Sequence, residues 1–335
     1  MKTLYNYISE SLLNNVEDSM QSGDTYAAVK EWLEENYNIS GCTYDIVTAK
    51  NDCVVNVNGD IRMRVPMRGR PDHTALTNGM FRFGTVNGHF DANYQSLKNL
   101  EGSPRVVTGK FTIDNNNCEF TCEGGPDKVY AIKLGSNCIS LEGMPQEVES
   151  FVYCQYSKLT SLKGCGKASS YDFSESPMLE SLEGIPACEC TITLNACKKL
   201  KNLKGLEKTT PIEIRLESCK SLKSLEGMPT KFTSSKSGSN LAYLDLRDTN
   251  LKSLKGIPSS ADLSNVQVSI SGCDALEDIS MLPKCAKLEA FYLPKLSKEC
   301  YDNINSYANE VSTGDEFPMK KAKKSRLNGI VYLRG

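Results

Sequence analysis

Hydrophobic residues recur along this chain at a nearly fixed interval. The phrase Leu-x-x-Leu-x-Gly-x-Pro is complete in four copies, and weaker copies lie between and around them. We call the first position of each copy its anchor, and the anchors are residues 76, 97, 118, 138, 159, 179, 200, 222, 251 and 276. Most successive anchors are 20 to 22 residues apart, and the two longest gaps are 29 and 25 residues. Such a period indicates stacked structural repeats.

A short run of alternating hydrophobic and polar residues precedes each anchor. The clearest runs are residues 191–197 (TITLNAC), 212–219 (IEIRLESC) and 266–273 (VQVSISGC). Alternation with a period of two is typical of a half-buried strand. One strand per repeat, followed by a Leu-x-x-Leu turn and a Gly-x-Pro corner, predicts a parallel solenoid with a continuous leucine core.

The strand and the anchor together resemble the signature of the leucine-rich-repeat family. Residues Leu194, Cys197 and Leu200 follow its cysteine form, and Ile113 with Asn116 follows its asparagine form. The Ser-Leu-Glu-Gly-x-Pro dialect looks like that of short leucine-rich-repeat proteins of tailed phages and some bacteria. The resemblance covers about residues 22 to 295. It implies an α/β solenoid with parallel strands on the concave face, mostly loops on the convex side, and inward-turned Asn or Cys side chains that donate to backbone carbonyls.

The segments outside the repeats predict a small cap and a tail. Asp24 is the expected N-cap of a helix that reaches Tyr37, and strands are expected at 44–48, 54–57 and 61–65. This α+β module would cover the first coil, because an uncovered terminal repeat exposes core leucines. The predicted organisation is a helical peptide at 1–21, the N-terminal cap at 22–70, a solenoid of about ten repeats at 71–300, and a C-terminal cap with a basic tail at 301–335.

Charge and hydropathy limit the classes of partner and the cellular location that can be expected. The 335 residues include 39 Lys and Arg against 41 Asp and Glu, a net charge of −2, so the whole molecule does not attract nucleic acid. The basic tail with Lys320 and Arg326 is the only weak hint at nucleic acid, and Arg62 belongs to a second basic run, interpreted as protection of an edge strand. Neither a membrane-spanning stretch nor a signal peptide is visible, which predicts a cytoplasmic protein without membrane contact.

The fourteen cysteines are expected to be reduced and structural. Cys188 and Cys285 both lie nine residues after an anchor, and Cys197 lies three before one, so the repeat phase explains them. A zinc site would pair two ligand groups at matching spacings. We therefore expect no metal, no cofactor and no catalytic residue, and the chain is predicted not to be an enzyme.

The strand side chains that alternate with the core residues should line the concave face and bind a protein partner. Tyr153, Arg215 and Arg247 are the best anchor candidates, because Tyr and Arg dominate binding hot spots. The residues expected to contact the partner are Asp114, Tyr153, Gln155, Asp172, Asn195, Arg215, Glu217, Asp245 and Arg247. The partner itself is not identified, and the protein is expected to be phage-encoded and to act in the host cytoplasm.

The N-terminal residues leave a second function open. The segment MKTLYNYISES resembles the capsid-targeting peptides of internal head proteins in T-even-like phages, which a prohead protease cuts after a Leu/Ile-x-Glu sequence. That resemblance implies cleavage between Glu10 and Ser11, packaging in the virion and delivery to the host. The alternative is an amphipathic helix, because Leu4, Ile8 and Leu12 are four residues apart.

Overall fold

A computed structural model describes residues 21–49, 52–65, 73–77, 79–235, 240–313, 323–327 and 330–334. The chain divides into two compact units, Met1–Glu149 and Ser150–Gly335. In each unit, successive short strands pair in parallel with one turn of chain between them. This arrangement is a parallel β-solenoid with few helices, which confirms the predicted solenoid.

The described part of unit 1 begins with one helix and continues almost entirely with strands. Its elements are α1 (Gln21–Asn36), β1 (Tyr37–Asn38), β2 (Thr43–Ala49), β3 (Asp52–Asn58), β4 (Ile61–Met63), β5 (Arg82–Asn87), β6 (Phe90–Asp91), β7 (Val106–Ile113), β8 (Phe120–Thr121), β9 (Lys128–Leu134) and β10 (Cys138–Ser140). β2 and β3 form an antiparallel hairpin, whereas β4, β6, β7 and β9 follow one another in parallel.

Two local predictions for the cap are wrong, and three predicted strands are confirmed. α1 already begins at Gln21, so Asp24 lies inside the helix and is not its N-cap. β4 lies between β1 and β6, so Arg62 is not in an edge strand. The two residues of β1 form that edge. The strands expected at 44–48, 54–57 and 61–65 are present as β2, β3 and the shorter β4.

Unit 2 contains a regular run of parallel strands. Its elements are β11 (Phe151–Tyr153), β12 (Ser170–Asp172), β13 (Thr191–Thr193), β14 (Glu213–Arg215), β15 (Ala242–Asp245), β16 (Val266–Ser269), β17 (Cys285–Ala290), α2 (Lys298–Asp302), a 3-10 helix (Ile304–Ser306), β18 (Ala308–Thr313), β19 (Lys323–Leu327) and β20 (Ile330–Arg334). Each strand from β11 to β17 pairs in parallel with the next, and β17 pairs with β18. β19 and β20 form an antiparallel hairpin.

One repeat of unit 2 is longer than its neighbours, yet the sheet register is unchanged. The anchors Leu222 and Leu251 are 29 residues apart. β14 and β15 still pair directly, with Glu213 opposite Tyr243. The additional residues are therefore accommodated between the strands without displacing them.

The core of each unit follows the repeat phase. All anchors but one have no exposed surface. The fully buried anchors are Leu76, Leu97, Cys138, Leu159, Leu179, Leu200, Leu222, Leu251 and Leu276. Each fully buried leucine contributes about 1.5 to 3 kcal/mol relative to an exposed one. The exception is Cys118, which is half-buried. Phe120 and Cys122 of the same coil are fully buried and fill the core there.

Inward-turned polar side chains satisfy backbone carbonyls between coils. In unit 1, Asn116 Nδ2 donates to the Leu97 carbonyl at 2.8 Å, and Asn116 Oδ1 accepts from the Leu97 N–H at 2.9 Å. In unit 2, Cys219 Sγ donates to the Leu194 carbonyl at 3.1 Å. An unpaired carbonyl in this buried turn would cost about 1 to 3 kcal/mol, so these donors stabilise the stack.

Backbone conformation also repeats from coil to coil. In several coils the residue before the inward-turned donor has a positive φ although it is not glycine, as in Ala196 (φ 58°) and Ser218 (φ 63°), and Gly272 fills this position before Cys273. At the Gly-x-Pro corner, Gly143 has φ +95°, and a Cβ atom there would lie 2.4 Å from the Cys122 carbonyl oxygen. This corner therefore requires both a left-handed conformation and the absence of a side chain.

Candidate functional site

The polar side chains of unit 2 form three rows across its parallel strands, because these strands pair in register. The first row contains Phe151, Ser170, Thr191, Glu213, Tyr243, Gln267, Lys287 and Glu310. The second row contains Tyr153, Asp172, Thr193, Arg215, Asp245, Ser269, Glu289 and Ser312. Backbone hydrogen bonds extend a third row over Gln155, Ser174, Asn195, Glu217, Arg247, Ser271 and Phe291. We call these three rows the wall.

The wall brings together eight of the nine predicted contact residues. Tyr153, Asp172, Arg215 and Asp245 lie in its second row, and Gln155, Asn195, Glu217 and Arg247 lie in its third row. Asp114 belongs to unit 1 and is described with the cavity below. Most wall residues are half-buried, but Asp245 has no exposed surface. Asp245 therefore acts on the wall through its neighbour rather than through direct contact.

Arg247 is held by two carboxylates. Its Nε donates to Asp245 Oδ1 at 2.8 Å, and its Nη2 donates to Asp245 Oδ2 at 2.7 Å. The same Nη2 donates to Glu217 Oε2 at 2.9 Å. These hydrogen bonds, led by those to Asp245, raise the pKa of Arg247 above its ordinary value. A forked guanidinium–carboxylate pair fixes geometry as well as charge, so Arg247 is presented in one orientation.

Arg215 is held in a similar way in the neighbouring strand. Its Nε donates to Glu213 Oε1 at 2.7 Å, and its Cζ lies 5.8 Å from the centre of the Tyr243 ring. A guanidinium at this distance from an aromatic face is attracted by the ring quadrupole. Burial raises the pKa of Tyr243, whose hydroxyl therefore stays protonated across the neutral range.

The wall has an excess of negative charge. Its cations are Arg215, Arg247 and Lys287, and each is already paired with a wall carboxylate. Its six carboxylates and three cations together give a formal charge of −3. The carboxylates belong to Asp172, Glu213, Glu217, Asp245, Glu289 and Glu310. Within the part of the chain that the structure describes, Asp172 and Glu289 form no ion pair. Asp172 instead accepts from Gln155 Nε2 at 2.6 Å.

One aromatic pair interrupts the polar character of the wall. The rings of Phe151 and Tyr153 stack with their centres 4.2 Å apart on β11. Both side chains are half-buried, so part of each ring remains in contact with solvent. The pair supplies apolar contact area that needs little further ordering, because the two rings already restrict each other.

Unit 1 contains a separate polar cavity of ≈370 Å³. Its charged lining consists of Arg62, Lys110 and Lys133 with Asp60 and Asp91, together with His89. Arg62 Nε lies 3.1 Å from Asp91 Oδ2, and Lys133 Nζ lies 2.6 Å from Asp114 Oδ2, which places the predicted contact residue Asp114 next to this lining. His89 Nδ1 accepts from the Lys110 N–H at 2.8 Å, so the neutral ring carries its proton on Nε2.

Sequence reasoning missed Arg62 and His89 as cavity residues. Residue 62 precedes the first anchor, so the repeat phase did not align it with the strands that follow. The parallel pairing of β4 with β6 sets Arg62 opposite Asp91. Residues 61–63 form a short alternating run. Aligning that run with the strands of the repeats would have placed Arg62 next to Asp91.

The described side chains form neither a metal-binding cluster nor a disulfide. Among the described residues, no three or more His, Cys, Asp or Glu side chains are grouped so that they could hold a metal ion. None of the fourteen cysteines, all of which are described, forms a disulfide. Burial raises the pKa of Cys165, Cys197 and Cys219. The pair Cys188 and Cys190 differs from these thiols and is treated separately below.

Two sequence predictions lie outside the described residues, in whole or in part. Glu10 and Ser11 of the predicted processing site are not among them, and neither is Lys320. Arg326 lies in β19, for which only the backbone is described. Within the described ranges, every helix is too short or too polar to traverse a bilayer.

Comparison of the chain with protein-family models, with curated proteins and with solved structures gave no match.

Proposed function

We propose that this chain is a non-enzymatic binding protein of the leucine-rich-repeat class, and that its wall binds the basic surface of a protein partner. The observation that supports this proposal most directly is the composition of the wall. Three registered rows of mostly half-buried side chains carry a formal charge of −3, to which the fully buried Asp245 contributes, and every wall cation is already neutralised by a neighbour. A partner that contributes cations would therefore complement the wall.

The size of the wall favours a protein partner. Eight parallel strands about 4.8 Å apart extend over roughly 34 Å, which is close to the diameter of a small domain. A metabolite would occupy only a small part of that length. Nucleic acid is a poorer candidate, because phosphates would meet the uncompensated carboxylates of Asp172 and Glu289.

Preorganisation identifies the strongest contact points. Arg247 and Arg215 are fixed by carboxylates, and Phe151 and Tyr153 restrict each other by stacking. Side chains that are ordered before binding lose less entropy on association. Arg and Tyr also dominate binding hot spots. We therefore place the centre of the interface on these four residues.

The leucine-rich-repeat assignment and the phage origin are proposed from the sequence pattern of the repeats. The support consists of the anchors, the inward-turned Asn and Cys donors and the Ser-Leu-Glu-Gly-x-Pro phrase. We propose the host cytoplasm as the place of action on the same basis. An experimental structure in which the wall lies on the concave side of a curved solenoid would support the class, and a wall on the convex side would contradict it.

The test compares proteins captured by the full chain with those captured by two variants. Tyr153→Ala combined with Arg247→Ala removes two wall contacts, and Lys204→Ala is the matched control, because Lys204 pairs with Glu226 away from the wall. We expect the control to retain a partner that the wall variant loses. Equal capture by both variants would refute the assignment of the interface.

The basic character of the partner has its own test. Neutralising Asp172→Asn and Glu289→Gln removes two charges without removing volume. The affinity for the captured partner should fall by about 5-fold to 30-fold, because each of the two unpaired charges at an interface contributes roughly 0.5 to 1 kcal/mol. Affinity that is unchanged in this variant and insensitive to added salt would refute the charge argument.

Packaging in a phage head is the second candidate function, and the segment around Glu10 and Ser11 is the observation that favours it. Mass spectrometry of purified particles should then find a mature chain that begins at Ser11. Particles that lack the chain, or contain it with an intact N-terminus, would remove this candidate.

A further inference from the structure

Five polar groups meet at the loop that leads into β13. Cys188 Sγ lies 2.9 Å from Cys190 Sγ and 3.7 Å from Tyr171 Oη. The Tyr171 hydroxyl also contacts the Gly166 carbonyl at 3.1 Å and the Ala168 N–H at 2.7 Å. Two sulfur atoms that are not bonded to each other normally remain about 3.6 Å apart, so Cys188 and Cys190 are unusually close for two thiols.

Stacking of the coils does not require sulfur at both of these positions. By repeat phase, the position of Cys188 is filled by Ala168 in the preceding coil and by Thr209 in the following coil. Backbone hydrogen bonds align Cys190 with Ile212 of the following coil. Adjacent coils therefore fill the same positions without sulfur, and both thiols occur together only where the chain bends at Glu189.

The two thiols differ in exposure and in ionisation. Cys188 is 8% exposed, whereas Cys190 has no exposed surface. The hydrogen bond between the two sulfur atoms, with smaller effects from the Tyr171 hydroxyl and the charge of Lys167, outweighs burial and lowers the pKa of Cys188 below its ordinary value. The same hydrogen bond raises the pKa of Cys190. The outer thiol is thus the nucleophile of the pair, and the inner thiol holds the shared proton.

We propose that Cys188 and Cys190 form a thiol–disulfide exchange site that reacts with low-molecular-weight disulfides such as glutathione disulfide. This site is independent of the wall and of the proposed protein partner. The geometry supplies a thiol with 8% of its surface exposed and a resolving thiol 2.9 Å from it.

The reaction takes place in two balanced steps. The Cys188 thiolate attacks one sulfur of glutathione disulfide, the disulfide bond breaks, and glutathione leaves as a thiolate that takes up a proton from water. Cys190 then loses its proton to water and attacks the Cys188 sulfur, which releases the second glutathione. One external disulfide is reduced to two thiols, and the two protein thiols are oxidised to one disulfide.

The product requires only a small local movement. A disulfide bond is about 2.04 Å long, so the two sulfur atoms must approach each other by roughly 0.9 Å. A ring closed across the single residue Glu189 is constrained, and constrained disulfides are reduced more readily than structural ones. We therefore expect the oxidised form to accumulate in a glutathione-disulfide-rich buffer and to return to the dithiol after addition of dithiothreitol.

The test treats the folded full chain with glutathione disulfide, blocks remaining thiols by alkylation and maps the peptides by mass spectrometry. The wild-type peptide that contains both cysteines should lose two hydrogens. Cys197 and Cys219 should stay reduced and should therefore be alkylated in the blocking step. Cys190→Ser should instead retain one glutathione on Cys188, because the resolving thiol is absent. Cys219→Ser is the matched control and should behave like the wild type.

Each other outcome overturns the proposal. It fails if the wild-type peptide keeps both thiols, if disulfides are scattered over several cysteines, or if Cys190→Ser retains no glutathione on Cys188. If a variant does not fold by circular dichroism, peptide mapping of the folded wild type alone decides the result.

Discussion

Replacing Gly143 with alanine should destabilise the protein much more than replacing Gly41, although both glycines have a similar backbone conformation. Their φ angles are +95° and +85°. Both lie in unit 1, so the comparison is made within one folded unit. The two sites differ in what a new methyl group would meet.

The expected magnitudes follow from those surroundings. At both sites alanine must adopt a left-handed conformation, at a cost of about 1 to 2 kcal/mol, which is partly offset by about 0.4 to 1 kcal/mol from the restricted unfolded chain. A Cβ at Gly41 meets no atom within 4 Å, so its net loss should be about 1 kcal/mol or less. A Cβ at Gly143 would lie 2.4 Å from the Cys122 carbonyl oxygen and 2.7 Å from Glu123 Cα.

The close contacts at Gly143 involve backbone rather than movable side chains. Relieving them requires the corner to move by about 1 Å relative to the preceding coil, and overpacking of this kind costs about 1 to 3 kcal/mol. The total loss at Gly143 should therefore be about 2 to 4 kcal/mol.

Urea unfolding of the wild type and both variants measures the difference. Because stacked coils can unfold in stages, hydrogen exchange at the Cys122 and Met144 amides should accompany it, since both amides are hydrogen-bonded in this corner. Equal losses at Gly143 and Gly41, or unchanged exchange at these two amides in Gly143→Ala, would refute the close-approach argument.

Three further predictions concern the thiols, the wall and the core. Burial raises the pKa of Cys219 to about 12 and that of Cys285 to about 11, so the unfolded chain ionises first. The free energy of unfolding should then fall by about 1 kcal/mol per thiol between about pH 9 and 10, and a constant urea midpoint over that range would contradict this. Arg247→Leu should lower the free energy of unfolding in urea by about 2 kcal/mol, because it leaves the buried Asp245 carboxylate without its cation. Adding Asp245→Asn should recover part of that loss, and additive losses in the double variant would contradict the pairing. Leu203→Ala should lower the free energy of unfolding by about 2 to 5 kcal/mol, since Leu203 has no exposed surface, and a loss below about 1 kcal/mol would contradict its place in the core.

The core could be predicted because its periodicity is visible within short stretches of the sequence. Leu200 and Leu203 belong to one Leu-x-x-Leu phrase, and both are fully buried. Ile192 alternates with two polar neighbours, and it is the buried residue of β13. Each of these inferences needs only a few neighbouring residues and the phase of the repeat.

Local sequence does not record how one coil packs against the next. Cys118 occupies an anchor position but is only half-buried, because Phe120 and Cys122 take the core volume of that coil. The positive φ angles of Ala196 and Ser218 could not be predicted from the residue type, since neither residue is glycine. These conformations are imposed by the turn that brings the next residue inward.

The wall was predictable as a set of positions but not as a set of interactions. Repeat phase identifies Arg247 and Glu217 as outward-facing residues. It does not reveal that they form an ion pair, because 30 residues separate them and one long repeat intervenes. Burial of Asp245 was equally hidden, since the neighbouring strands and Arg247 cover it.

The long repeat between β14 and β15 has a practical consequence for engineering. Since those strands remain in register across 29 residues of spacing, the chain between them is a suitable insertion point for a passenger sequence such as a fluorescent reporter. A protein labelled at that point would keep both of its natural termini available for other uses.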